Sequence, residues 1–348
     1  MTSLSDPDLL TAAERLRLSP TQSDMWMEQA RYSTSDMLLI STRHLMPVAL
    51  DVDRFRQATD EVLRTNEAFF MRLHASDEGV PLASFNPDNA PTCQFVDLSH
   101  FSDPQDELTR QMDAVARTPF TMLDAPLVRI VLYKLDARLY CFLCTAHHIV
   151  ADGWAMGITL PRIADRYRSL AEDPHSPPLA LDRAMSAYLR AGADKPDDAY
   201  VARATAFWQK LQSEPPVPIK PAHPAQDARS EYRCGRIEFA IDRSAANHLA
   251  HLVEGVTLYH ILLLAWSLLL RRTYSLERCT ISMPILNRGK EHKDTIGLFM
   301  AVRALPIPHD ENASIADNLH SIARRIRDLF AITNCPIPRS ADSPPPTG

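Results

Sequence analysis

The chain has 348 residues, enough for two compact lobes that each bury a sizeable core. Hydrophobic residues make up 45% and charged residues 23%, an ordinary balance for a soluble globular protein. The formal net charge of -6 argues against nucleic acid or an anionic membrane surface as the main partner. With 9 Gly and 27 Pro, proline-bearing connections are expected and glycine phosphate loops are not. The six cysteines (93, 141, 144, 234, 279 and 335) are scattered. Cys141 and Cys144 have CxxC spacing but lie in a strand-like run, which would put them on opposite faces, and no second pair completes a zinc site. Buried free thiols in a reducing cytoplasm is the reading that follows. The N-terminus has neither a basic nor an apolar region of secretory type.

From the N-terminus, Leu18-Ser19-Pro20-Thr21-Gln22-Ser23-Asp24-Met25-Trp26 is an extended, proline-bearing segment entering a helix. Asp51 can cap a helix that carries Phe55, Ala58, Val62 and Leu63. Thr65-Asn66-Glu67-Ala68 follows, and Phe69 to Leu73 reads as a strand. Leu108 to Ala116 reads as a helix, and Pro119 to Leu127 as a connection ending near Arg129. Leu127 to Leu135 then forms a hairpin, across Asp136-Ala137, with the strand beginning at Leu139.

Leu139 to Thr145 has the length of a buried strand, and Ala146-His147-His148-Ile149-Val150-Ala151-Asp152-Gly153-Trp154 follows it. Trp154, Ile158, Ile163, Tyr167 and Leu170 then fall near helical spacing, so the histidines sit on a strand–loop–helix corner. A neutral imidazole can accept a proton from an attacking amine or hydroxyl near neutral pH. An Asp four residues on can fix local geometry, and Gly153 lets the backbone turn sharply into the helix. Against this, a lone His at a strand end is most often structural, and Asp-Gly is a common hairpin turn. A hairpin would be followed by a strand, whereas the next stretch here has helical periodicity.

Pro174 to Pro178 ends that helix and marks a lobe boundary. A helix with Tyr188 and a second with Phe207 and Trp208 come next, Trp208 being a core packing residue by type. Pro215 to Pro224 reads as an extended surface arm. Val256 to Leu270 is the most apolar stretch; it is shorter than the roughly 18 residues that span a bilayer and reads as a buried core helix capped by Thr257. Cys279 to Leu286 and Val302 to Ile307 read as strands flanking Asn287-Arg288-Gly289 and Ile296-Gly297-Leu298-Phe299-Met300-Ala301. Ser314 starts an amphipathic helix, and from about residue 331 the composition is that of a disordered tail.

These segments together resemble the condensation domains of nonribosomal peptide synthetases, in the superfamily of chloramphenicol acetyltransferase. His147-His148, Asp152 and Gly153 match its HHxxxDG signature, and Ser19, Gln22 and Trp26 match its LSxxQxxxW pattern. Pro119 to Arg129 resembles its PFDLxxxPLxR connection, Phe207-Trp208 its fourth motif, and Arg288, Gly297 and Phe299 its fifth. The chain departs from the pattern where Thr65 and Phe70 replace two arginines of the second motif, Glu67 being kept, and where Ala301 replaces an Asn.

The resemblance implies an α/β (α+β) fold of two chloramphenicol acetyltransferase-like lobes in a V, residues 1–178 and 179–348, the second incomplete. It implies amide formation between a donor acyl thioester and an acceptor aminoacyl thioester, both on phosphopantetheine arms of peptidyl carrier proteins. Those arms are substrates; no bound cofactor or metal is implied. The partners are donor and acceptor carriers and neighbouring synthetase domains, with no nucleic acid or membrane, in the cytoplasm. In that scheme the catalytic set is His148, His147, Asp152 and Gly153. His148 orients or deprotonates the amine or stabilises the tetrahedral intermediate, while His147 is structural. Asp152 holds the loop through an ion pair with Arg288, Gly153 lets the acyl group approach, and Trp208 supports the site by packing. Two alternatives stay open: a stand-alone acyltransferase using a coenzyme A thioester, and a non-catalytic truncated module that only binds carriers.

Overall fold

The computed structural model describes residues 14–192, 198–212 and 239–330. Backbone contacts divide the chain into two units, Met1–Lys195 with Arg288–Met300, and Pro196–Asn287 with Ala301–Gly348. Residues 179–192 fall with the first unit, and a second piece, Arg288–Met300, returns to it from far along the chain.

In the first unit β1 (Leu16–Arg17) leads to α1 (Pro20–Arg31), then β2 (Leu39–Met46) and α2 (Val52–Thr65). A single turn, α3 (Glu67–Phe70), precedes β3 (Met71–His74), so Phe69 and Phe70, expected in a strand, are helical. Both rings are fully buried, and packing rather than alternation fixes that turn. The unit continues with β4 (Leu82–Phe85), β5 (Cys93–Asp97), α4 (Pro104–Arg117), β6 (Val128–Asp136), β7 (Leu139–His147), α5 (Gly153–Glu172) and α6 (Ala184–Gly192). One sheet has the order β2-β7-β6-β5, antiparallel except for β5 on β6; a smaller one has the order β1-β4-β3.

β7 lies between β2 and β6, which explains why the run from Leu139 reads as continuously apolar. Tyr140, Phe142, Cys144 and Ala146 face one core, with Phe55, Ala58 and Val62 of α2 and Ala155, Met156 and Ile163 of α5. Cys141 and Leu143 face the other, with Leu108 of α4. The two cysteines therefore sit on opposite faces, as the period of 2 demands. Burial on both faces pins the register, because a one-residue slip would exchange the two sets. Leu39 pairs with His147 in that register, which sets where the strand ends and the histidine loop begins.

The second unit holds α7 (Asp198–Gln212), α8 (Arg243–Ala250), α9 (Leu258–Tyr274), β8 (Cys279–Ile285), β9 (Ala301–Ile307) and α10 (Ile315–Phe330). β8 and β9 form an antiparallel pair. Trp208, Leu263, Leu264, Met283, Leu305, Leu319, Ile322 and Ile326 are among the buried residues of its core. α9, expected to be a buried helix, is buried along one face only. Tyr259, Leu262, Trp266 and Leu269, spaced three and four apart, are each about half exposed. Among the described residues no helix is long and apolar enough to cross a membrane. The proline arm at 215–224, Cys234, Cys335 and the tail after 330 lie outside the described residues.

Candidate active site at the histidine loop

The loop from His147 to Asp152 is held at both ends by side chains whose hydrogen bonds define its geometry. At its start, His147 is fully buried and its N–H donates to Leu127 O at 2.9 Å. Its Nε2 meets Gln29 Oε1 at 3.1 Å, and its Nδ1 accepts from Ile149 N at 3.1 Å. The Gln29 amide nitrogen donates to Tyr32 O at 3.0 Å and Ser35 O at 3.4 Å, so its oxygen is the group facing the ring. The proton of His147 must then sit on Nε2, and protonating Nδ1 would set N–H against N–H. Burial, with the neighbouring His148 second, pulls the His147 pKa down to about 4, in keeping with a neutral ring. Both ring nitrogens of His147 are thus engaged within the protein.

Gln22 supports the middle of the loop. Ser19 caps α1 in a reciprocal box, Gln22 N donating to Ser19 Oγ at 3.2 Å and Ser19 N to Gln22 Oε1 at 3.1 Å. That leaves Gln22 Nε2 free to donate to Ile149 O at 3.0 Å. The Ser-x-x-Gln pattern thus does two things at once: it starts α1 and ties α1 to the histidine loop.

At the far end Asp152 caps α5, accepting from Ala155 N at 2.9 Å. Arg288 Nη2 lies 3.1 Å from each carboxylate oxygen, and Phe299 N and Met300 N donate to Oδ2 at 3.0 and 3.1 Å. Both side chains of the pair are 1% exposed. Arg288 Nη1 donates to His292 O at 2.7 Å and to Thr295 O, and its guanidinium lies over the Phe299 ring at 4.3 Å. Desolvation lowers the Arg288 pKa, and the carboxylate opposes that shift. With these donors around it, the Asp152 carboxylate is committed to the scaffold. It pins Arg288–Met300 to the first unit, and Gly297 fits there because an added Cβ would lie 2.8 Å from Met185 Sδ. Trp154 adds a further tie, its Nε1 donating to Lys293 O at 2.8 Å.

His148 is different. Its backbone N–H donates to Leu38 O at 2.7 Å, which fixes the main chain. Its ring makes no hydrogen bond among the described residues, and Nδ1 is buried without a partner. A rigidly mounted imidazole without a protein partner can exchange a proton with a ligand. Gly153 follows at the first turn of α5, where an added Cβ would meet nothing within 4 Å. Its φ is not positive, so the sharp turn does not itself need glycine. What the missing side chain leaves is open space at the start of the helix.

The structure therefore brings together His147, His148, Asp152, Gly153 and Arg288. Trp208 is in the core of the second unit, edge-on to Phe207 at 5.5 Å. Glu67, the polar residue kept from the second motif, is buried and accepts from Ser186 N at 2.7 Å and Ser186 Oγ at 2.8 Å in the absence of the two arginines. Desolvation raises its pKa. Ala301 is buried at the start of β9. Among the described residues no cluster could hold a metal ion.

These features are those of a condensation domain. The family model of that description matches residues 12–339, and the chain belongs to the condensation domain family of nonribosomal peptide synthetases. It is similar to malpibaldin synthetase of Mortierella alpina, at 24% identity across 92% of this chain and 6% of that one. To the chondramide synthase of Chondromyces crocatus it is 28% identical, across 72% of this chain and 6% of the other. The chain thus spans only a small part of the length of these synthetases. Among solved structures, the first condensation domain of the calcium-dependent antibiotic synthetase is similar with a TM-score of 0.73, 22% identity and coverage of 93% of this chain and 76% of that one. A mutant starter condensation domain of rhizomide synthetase, in complex with C8-CoA, gives a TM-score of 0.78 at 19% identity, covering 92% and 72%. The fold is the chloramphenicol acetyltransferase-like fold of these domains.

Proposed function

We propose that this chain catalyses amide formation between an acyl or peptidyl thioester on a donor carrier protein and an aminoacyl thioester on an acceptor carrier. The phosphopantetheine arms of the carriers enter as substrates, with no bound cofactor, within a cytoplasmic synthetase. His148 accepts a hydrogen bond from the acceptor amine and takes its proton as nitrogen attacks the thioester carbonyl. When the tetrahedral intermediate collapses, the C–S bond breaks and the proton passes to the departing thiolate. Asp152 and Arg288 hold the loop, His147 and Gln29 orient it, and the open side of Gly153 admits the acyl group. The observation that carries this reading is the His148 ring, unpartnered among the described residues, on a loop whose other polar side chains, His147 and Asp152, are hydrogen-bonded.

The test is amide formation by the full chain, with an acyl-loaded donor carrier and an aminoacyl-loaded acceptor carrier, read by mass spectrometry. Product on the acceptor arm supports the reading. Product only from free coenzyme A thioesters would replace it with a stand-alone acyltransferase. Carrier binding without product would replace it with a non-catalytic module.

A further inference from the structure

The second unit contains a group of three arginines and a histidine remote in sequence from the histidine loop. The last turn of α9 brings Arg271, the bend just before β8 brings Arg278, the segment after β9 brings His309, and α10 brings Arg325. Together with Glu277 they line a cavity of about 260 Å³. Among the described residues few acceptors answer these donors. The Arg271 side chain is only 16% exposed, and its one ion-pair contact among the described residues is Glu311 at 4.0 Å, a side chain that is itself 82% exposed. Arg278 and Arg325 make no ion pair or side-chain hydrogen bond among the described residues, and His309 Nδ1 is buried without a partner.

A helix C-terminus favours cations, which accounts for Arg271 and its neighbour Arg272. It does not account for Arg278, His309 and Arg325, which arrive from three other segments. The half-buried Arg325 guanidinium and the buried His309 Nδ1 would be satisfied by an oxyanion, with exposed Arg278 beside them, and the fork of an arginine matches phosphate in particular. A second cavity, of about 780 Å³, shares Arg271, Glu277 and His309 with the first. Leu264, Leu268, Leu276 and Ile315 give it an apolar wall, while Asp310 and Glu311 line it as well. Glu277 lines both cavities, but Asp310 and Glu311 line only the larger, so the smaller, with Arg278 and Arg325 added, favours the negative group and the larger an attached apolar body.

We propose that the second unit binds a phosphate monoester bearing an apolar body, with the phosphate held by Arg271, Arg278, Arg325 and His309. The site is built from residues of that unit alone and is separate from the residues proposed to act in condensation.

The full chain is titrated with hexyl phosphate, inorganic phosphate and hexanol, following binding by calorimetry and by NMR shifts of the arginine side chains. Hexyl phosphate is expected to bind roughly ten-fold more tightly than inorganic phosphate, with hexanol not saturating by about 10 mM. Arg325→Gln, whose side chain is half-buried and unpaired, is expected to weaken hexyl phosphate roughly ten-fold or more. Equal affinity for the two phosphates would remove the apolar part of the site and overturn the proposal as stated. So would binding of hexanol as tight as that of its phosphate, or an Arg325→Gln affinity equal to wild type in a variant with unchanged melting temperature. If Arg325→Gln shifts melting, Arg278→Gln, at an exposed position, supplies the same comparison.

Discussion

Asp152→Asn perturbs one atom in a place where charge and hydrogen bonding are both committed. The asparagine can keep one acceptor for Ala155 N, but its amide nitrogen must then face Arg288 Nη2 and the N–H groups of Phe299 and Met300, all donors. Flipping the amide moves the conflict to Ala155 and Arg288 without removing it. Arg288 is left as a guanidinium at 1% exposure with no counter-charge. Breaking one side of a buried pair costs about 3–5 kcal/mol. For units of roughly 150–250 residues each kcal/mol moves the melting temperature by about 2–4 °C, so the variant should melt about 6–20 °C lower. Thermal unfolding followed by circular dichroism gives the number, and the double variant Asp152→Asn/Arg288→Met should recover part of the loss. A melting temperature within about 2 °C of wild type would refute the claim that this pair holds the loop and residues 288–300 in place.

Three further outcomes follow from the same geometry. The folded His147 pKa of about 4 lies below the unfolded value of about 6.5, so between these pH values the unfolded chain binds the extra proton. Stability from this group is complete above about pH 6.5 and falls as pH drops toward 4, by on the order of 3 kcal/mol; urea unfolding from pH 7 to 4 should lose this slope in His147→Gln. Gln29→Leu removes the acceptor of the His147 Nε2–H and should destabilise by about 1–3 kcal/mol in urea, with the His147 ring ¹⁵N shifts no longer those of one tautomer. Burial pushes the thiols of Cys93 and Cys144 up to about 12 and that of Cys141 up to about 11, so peptide mapping after iodoacetamide treatment at pH 7.5 should find all three unmodified until the chain is unfolded. Labelling of Cys144 in the native protein would contradict its place in the core.

The histidine loop is legible in the sequence because its flanks are local: an apolar run of strand length, then helical spacing, with Asp152 at the cap position. The pairing of Asp152 with Arg288 follows only from the family likeness, since no periodicity links residues 136 positions apart. Gln22 and Gln29 escape assignment to the loop for the same reason. Each reads locally as a helix residue, and the partner that gives it a role comes from β7 and the loop after it. The Ser19 and Gln22 spacing does carry a signal, because it is a capping box. Phe69 and Phe70 mislead because aromatic residues before a strand look like strand, while here burial of both rings folds a helical turn. Trp208 reads from its type as a packing residue, and it lies in the core of the second unit, where its size is what packing uses. Half-exposed Leu262, Trp266 and Leu269 show the limit of apolarity as a guide: the composition of α9 is that of a buried helix, and only the fold shows which face is covered.

His148 is proposed to act on the acceptor amine while the rest of the loop holds it. Single-turnover amide formation on loaded carriers, comparing wild type with His148→Ala at matched melting temperature, tests it most directly. The account predicts a loss of about 10²–10⁴-fold in rate with carrier affinity unchanged. A His148→Ala rate within a few-fold of wild type would contradict it.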